Sequence, residues 1–289
     1  MNMDILFAWI AAIASGIAPL VIKASSKNLI KSPWLFNILW ISFRMPLVII
    51  LAIFKDGGLP NNILPIIILA LCYACYYMLF TYAQYKIDVT TMSPLFTFRS
   101  IFATILGVVF LAEKITLTSF ILMLIIIAFS PFASYSEKLK LKAFLSKDVA
   151  VAILAMLLLA LVGYFTKVSI SINGYGTTLL WQDPLILIFL MPTILLTSKD
   201  DRQVPKDRLY PFIILGIAGF VYLAASSAAY ARNLTLSSII ISLPLSMVFA
   251  YILSRKFKNF LEEHSKKVYL IRFSAAAVMV TCAIWLSLL

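Results

Sequence analysis

Charge is scarce in this 289-residue chain: Asp, Glu, Lys and Arg make up 12% of it, while 63% is hydrophobic. Ordinary soluble domains carry about 25% charge and about 45–50% apolar residues. Too little polar residue is present to cover a water-exposed surface, which excludes a soluble enzyme, a nucleic-acid module, a secreted disulfide scaffold and a disordered tail. Histidine occurs once, as His264 in a polar stretch, so no histidine pair is available to hold a metal. No HExxH, GxSxG, Walker A or GxGxxG pattern occurs, which leaves no signature of an enzyme, a nucleotide-driven cycle or a cofactor. Asp200-Asp201 is half of a DDxxD pattern that nothing completes, and reads as a solvated loop. The three cysteines, Cys72, Cys75 and Cys282, all sit inside apolar runs. An odd number of such thiols builds no disulfide framework, and Cys72 and Cys75, without a second ligand pair, read as packing residues. Glycine is sparse, nine in all. Close helix contacts therefore fall to small residues such as Ala224–Ala229 and Ser274–Ala277.

What the chain has in abundance is long apolar runs. A bilayer span needs about 20 apolar residues, so ten spans would use roughly 200 of the chain's length. Apolar stretches between polar clusters predict ten helices, at 4–25, 34–54, 62–85, 89–111, 117–135, 149–171, 177–197, 209–232, 236–256 and 267–288. The fold class is an all-α polytopic membrane protein. No Lys or Arg precedes the run Ile5–Ile22, which reads as a retained first span and not as a cleaved signal. The polar run Glu137–Lys142 separates two halves and suits a short interfacial helix.

The halves repeat. Ile22-Lys23-Ala24-Ser25 aligns with Thr166-Lys167-Val168-Ser169, and Phe43-Arg44-Met45-Pro46 with Phe189-Leu190-Met191-Pro192. Tyr82-Ala83 aligns with Tyr230-Ala231, Pro94-Leu95 with Pro244-Leu245, and Phe110–Lys114 with Phe260–His264. The offset drifts one way, from 144 to 150 residues, as small loop insertions would cause. The expected organisation is one five-helix unit over residues 1–135, a linker over 136–148 and a second unit over 149–289. An odd number of helices per unit makes the repeat inverted, an architecture associated with transporters that bind at the midplane.

The stretch Tyr82-Ala83, Met92-Ser93-Pro94-Leu95 and Gly107–Glu113 resembles the EamA-type branch of the drug/metabolite transporter superfamily. Its second copy runs from Tyr230 through Pro244 to Glu263. The resemblance covers the chain as a 5+5 layout, and departs from the family at the basic cluster Arg255-Lys256-Phe257-Lys258, where an apolar ninth helix usually continues. It implies that helices one to four and six to nine line a cavity, with helices five and ten at the periphery.

The balance of 24 Lys and Arg against 12 Asp and Glu gives a net charge of +12. These basic residues read as topology signals and not as a nucleic-acid surface. Sixteen fall in the first, third, fifth, seventh and ninth loops, against Lys55, Lys114 and Arg232 on the other side. The positive-inside rule then puts the odd loops in the cytoplasm and both termini outside. The family resemblance implies the reverse.

Ionisable groups deep in apolar spans are the candidate site. An arginine at a span centre costs about 2.5–3.5 kcal/mol on insertion scales, which a helix with ten or more Leu, Ile, Val or Phe residues can absorb. Arg44 and Arg99 are such residues. Each is either a lining for a substrate carboxylate or phosphate, or a strut bonded to backbone carbonyls or to Asp183. Asp183, in Trp181-Gln182-Asp183-Pro184, has three readings: ammonium recognition, proton coupling, or counter-ion to an arginine. Around Arg99, the residues Thr90, Ser93, Thr97, Ser100 and Thr104 share one helix face, and Ser238, Ser242 and Ser246 repeat the pattern in the ninth helix. Such stripes suit a watery cavity or close packing through carbonyl bonds. Pro94 and Pro244 are candidate helix breaks. Lys23 and Lys167 are repeat-related, either snorkelling or flanking a cavity mouth. Tyr73, Tyr76, Tyr77, Tyr82, Tyr222 and Tyr230 offer aromatic walls or an interfacial belt.

The expected function is a secondary carrier in the plasma (inner) membrane, monomer or homodimer, moving a small polar metabolite by alternating access. One arginine with one carboxylate fits an amino-acid-like zwitterion. A nucleotide-derived metabolite, an organic cation, a lipid-linked-sugar flippase and a non-transporting scaffold are the alternatives.

Overall fold

Proline decides where several of the apolar runs stop being continuous helix. The computed structural model describes residues 3–28, 30–87, 89–133, 147–202, 204–205, 209–246, 248–249, 252 and 266–288. Among them every regular element is helical. The first span consists of α1 (Met3–Ser15) and α2 (Ala18–Asn28), followed by α3 (Pro33–Phe54), α4 (Leu64–Lys86), α5 (Val89–Leu111) and α6 (Leu117–Ala133). Then come α7 (Lys147–Asn173), α8 (Tyr175–Leu190), α9 (Tyr210–Arg232), α10 (Leu234–Ile241) and α11 (Lys266–Leu288). With α1 and α2 taken together, the described residues hold ten helices at the ten expected places. Seven spans are long and apolar enough to cross a membrane, while the apolar stretches Leu95–Leu111 and Leu117–Ala133 are shorter. The protein is a multi-pass helical membrane protein. The expected interfacial helix at Glu137–Lys142, the cluster Arg255–Lys258 and the pair Glu263-His264 lie outside the described residues.

Three interruptions divide the expected runs. The first span breaks at Gly16-Ile17, just before Pro19, whose ring and missing N–H forbid a helical bond to the Ser15 carbonyl. After Leu190 the chain tightens into a 3-10 segment over Met191–Leu196 around Pro192. α10 stops at Ile241, and the amide of Leu243 takes the Ile240 carbonyl that Pro244 has no N–H to reach. Pro244 is thus a break as expected, but Pro94 is not: α5 runs through it unbroken, as α3 does through Pro46 and α8 through Pro184.

Polar groups of the spans are buried within an apolar core, and large apolar side chains also cover the outside. Arg44, Arg99, Asn37, Thr81, Gln84, Gln182 and Asp183 are all buried. Ile53, Val109, Phe110, Leu195, Leu270 and Trp285 point outward, each more than half exposed. In water that surface would associate; against acyl chains it costs nothing. α4 packs on α7 and α8, α3 on α8 and α9, α1 on α9 and α10, and α5 on α7 and α10. α6 and α11 pack chiefly on each other. Small residues allow these approaches: Ala225, Ser226, Ser227 and Ala229 are buried in α9, and Ala275 and Ala276 in α11. Glycine contributes too, since a Cβ on Gly216 would stand 2.9 Å from the Phe43 carbonyl oxygen of α3.

At one end the loop between α3 and α4 is hydrogen-bonded to the junction of α7 and α8. The Asn61 side-chain amide donates to the Ile172 carbonyl (3.0 Å), and the Asn62 amide donates to Asn173 Oδ1 (2.9 Å). Asn173 Nδ2 donates back to the Asn62 carbonyl (2.9 Å), and the Gly58 amide to Thr177 Oγ1 (3.1 Å).

Candidate central cavity

Two buried arginines meet opposite fates. Arg44 of α3 and Asp183 of α8 are each fully buried and joined by a two-point contact: Nε donates to Oδ2 at 2.9 Å and Nη2 to Oδ1 at 2.6 Å. Nη1 donates to the Tyr77 hydroxyl of α4 at 2.5 Å, and the guanidinium carbon stands 5.6 Å from that ring's centre. Asn37 Nδ2 holds the Tyr77 carbonyl (3.0 Å), and Thr81 donates to Asn37 Oδ1 (2.6 Å). The charges cancel internally, in the geometry that makes arginine suited to carboxylates. Of the roles open to Asp183 and Arg44, the structure has them as mutual counter-ions binding three helices. Trp181 of α8 lies elsewhere, its Nε1 donating to the Gly58 carbonyl (2.9 Å).

Arg99 of α5 has no such carboxylate. It is 2% exposed, and its Nε and Nη2 lack any hydrogen-bond partner. Its guanidinium carbon lies 5.6 Å from the centre of the Tyr230 ring. Arg99 lines a central cavity of about 540 Å³, counting its open mouth. Trp40, Tyr76, Tyr77, Phe80, Phe96 and Tyr222 supply the aromatic walls. Ser15, Ala18 and Pro19 come from the broken first span, and Ile241 from the end of α10. A smaller adjoining space of about 310 Å³ is lined by Gly16, Ser242, Pro244 and Ser246. The two interrupted helices therefore meet at the cavity, and a Cβ on Gly16 would stand 2.8 Å from the Phe249 ring.

Of the residues singled out from the sequence, Arg99, Tyr76, Tyr77 and Tyr222 line the larger space, and Ser242, Ser246 and Pro244 the smaller. The hydroxyl stripe on α5 faces its neighbours: Thr97 bonds Ser130 of α6, and Ser100 donates to the Ser238 carbonyl of α10 at 3.5 Å. Tyr82 stacks on Trp34, with ring centres 6.4 Å apart, and Tyr230 sits behind Arg99. The side chains of Lys23, Ser93 and Pro94 lie outside the described residues. Trp40, Phe80 and Phe96 were missed. Phe96, three residues before Arg99, carried a spacing signal; the other two look like ordinary core.

Lys167 is not among the residues lining either of these two spaces. Its Nζ donates to Glu113 Oε1 (2.7 Å) and to the Arg232 carbonyl (2.9 Å). Glu113 follows Ala112, which takes a positive φ of 50° beyond the end of α5. The Leu234 amide donates to its Oε1 (2.7 Å) and the Thr235 amide to its Oε2 (2.9 Å). These are the orphan donors at the start of α10, where a carboxylate complements the helix dipole. Asn233 completes the cap by accepting from the Leu236 amide (2.9 Å). Burial pushes the Glu113 carboxyl up, but the bonds from Lys167, Thr235 and the two amides hold it below the usual carboxylate range.

Fold and cavity together define a multi-pass membrane protein with an internal, largely aromatic chamber that holds an arginine. Residues 2–134 match the model described as the EamA-like transporter family. Over that stretch the chain is similar to a family within the drug/metabolite transporter superfamily. That is a family of transporters and not of enzymes. No curated protein matches the chain. Among solved structures 28 chains match. One, titled only "Crystal structure of protein", is similar with a TM-score of 0.74 at 10% identity, covering 97% of this chain and 95% of that one. That likeness concerns fold alone.

Proposed function

We propose that the protein is a secondary transporter of the plasma (inner) membrane that carries a small polar metabolite by alternating access. Two five-helix units, residues 1–135 and 149–289, rock about the cavity at Arg99. The observation that carries this reading is the unpaired guanidinium of Arg99, buried in a chamber where two interrupted helices meet. An arginine left without a counter-ion in a span is costly, and discontinuous helices at midplane are a transporter's way of presenting a site. The packing pairs support a two-fold relation between the units. Exchanging helices one to five with six to ten turns α4–α7 into α1–α9, α3–α9 into α4–α8, and α5–α7 into α1–α10, and all six pairs occur. The near-isolation of α6 and α11 suits a peripheral role for the fifth and tenth helices. An amino-acid-like zwitterion would require Asp183 for its ammonium, and that carboxylate is committed to Arg44. The anionic end of the solute is what the site supports.

The test is uptake into proteoliposomes from a metabolite panel. Arg99→Ala is expected to cut uptake of the transported solute at least tenfold while elution profile and melting temperature stay near wild type. Unchanged kinetics would remove Arg99 from the site, and phospholipid scrambling without solute uptake would replace the carrier by a flippase.

A further inference from the structure

The chamber's chemistry narrows the solute, on the footing of the carrier reading. Among the described residues, Arg99 is the one ionisable cation on its wall, and no carboxylate lines it. Its other polar groups are largely spoken for. The Tyr77 hydroxyl is engaged by Arg44, the Trp40 indole N–H donates to the Leu215 carbonyl (3.2 Å), and Ser15 donates to the Ala12 carbonyl (2.8 Å). The helix ends at the chamber offer little to a cation either. The Ser238, Ile239 and Ile240 carbonyls of α10 accept from the Ser242 amide, and Ile240 also from that of Leu243. The Ile13 and Ala14 carbonyls of α1 accept from the amides of Gly16 and Ile17. A solute ammonium would lose its water, meet no anion and stand near an arginine, a combination burial penalises. An anion would find two unpartnered guanidinium nitrogens. Beside them, Tyr76 stacks on Phe80 with ring centres 5.1 Å apart, and Phe80 meets Phe96 edge-on at 5.8 Å. Such a wall favours a flat apolar body.

We propose that the chamber takes a monoanionic carboxylate with a flat apolar body, an aryl or arylalkyl carboxylate. Its carboxylate pairs with Arg99, and its ring lies against Tyr76, Phe80 and Phe96. It carries no ammonium group.

Four probes separate the terms: 3-phenylpropanoate, phenylalanine, phenethylamine and acetate, titrated into the purified full chain with binding read by calorimetry. The expected result is saturable binding of 3-phenylpropanoate at least tenfold tighter than phenylalanine or acetate, with phenethylamine unbound. Arg99→Gln abolishes that binding, and Arg99→Lys, which keeps the charge, retains a weakened form of it. The proposal is overturned if phenylalanine binds as well, if phenethylamine binds, if none of the four binds, or if Arg99→Gln leaves affinity unchanged. Uptake of labelled 3-phenylpropanoate into proteoliposomes then separates the two readings. Binding without uptake leaves the ligand class standing and ends the carrier. Arg99-dependent uptake of phenylalanine with no preference for the plain carboxylate keeps the carrier and ends this class.

Discussion

Arg44 and Asp183 lie 139 residues apart in sequence and form one fully buried ion pair. Removing one member strands the other. Asp183→Asn leaves the Arg44 guanidinium without its anion and is expected to destabilise the protein by about 3–5 kcal/mol. A thermal melt in detergent checks this, and the double change Arg44→Leu with Asp183→Leu is expected to melt well above the single variant, since an apolar pair needs no partner. At this scale the sequence was half legible. A charge in an apolar run is visible as an expense, so Arg44, Arg99 and Asp183 stood out by type alone. Which arginine is spent on a counter-ion, and which stays available, is decided by helices that meet only in three dimensions. The aromatic wall was less legible still, because Trp40 and Phe80 in an oily helix look the same whether they face a chamber or a neighbour.

Helices were the most readable feature, because a run of about 20 apolar residues between polar clusters has one stable solution in a bilayer. Their interruptions were not. Pro19, Pro192 and Pro244 coincide with breaks or tightened turns, while Pro46, Pro94 and Pro184 sit inside intact helices. Proline removes one bond everywhere; whether the chain parts there depends on what else takes up the freed carbonyl, as the Leu243 amide does for Ile240. Element ends also carry the pH response. The folded Glu113 carboxyl is held below the ordinary range. Its contribution is therefore present above the unfolded-state value and lost as pH falls through the folded one. Wild-type melting temperature is expected to fall on the acid side, and Glu113→Gln to flatten that limb and lower the plateau at neutral pH. A melt series from neutral to acid reads both, and an acid limb that does not change in the variant would count against the assignment.

For the whole molecule, an apolar exterior around a core that is itself apolar but holds buried charge sets it apart from a soluble protein, and composition alone conveyed the apolar share. Sidedness rests on charge. With sixteen basic residues in the odd loops against three in the even ones, a reporter fused after Leu289 is expected to be active only outside the cytoplasm; activity only inside would invert the orientation. The loop of Asn61 and Asn62 and the junction at Asn173 belong to different proposed units, and their mutual bonds tie the two together at one end. That end is held like a latch with several teeth. Were the proposed carrier cycle to open that end, these bonds would have to part first, and the tempo of the cycle would belong to the latch before it belonged to the cargo.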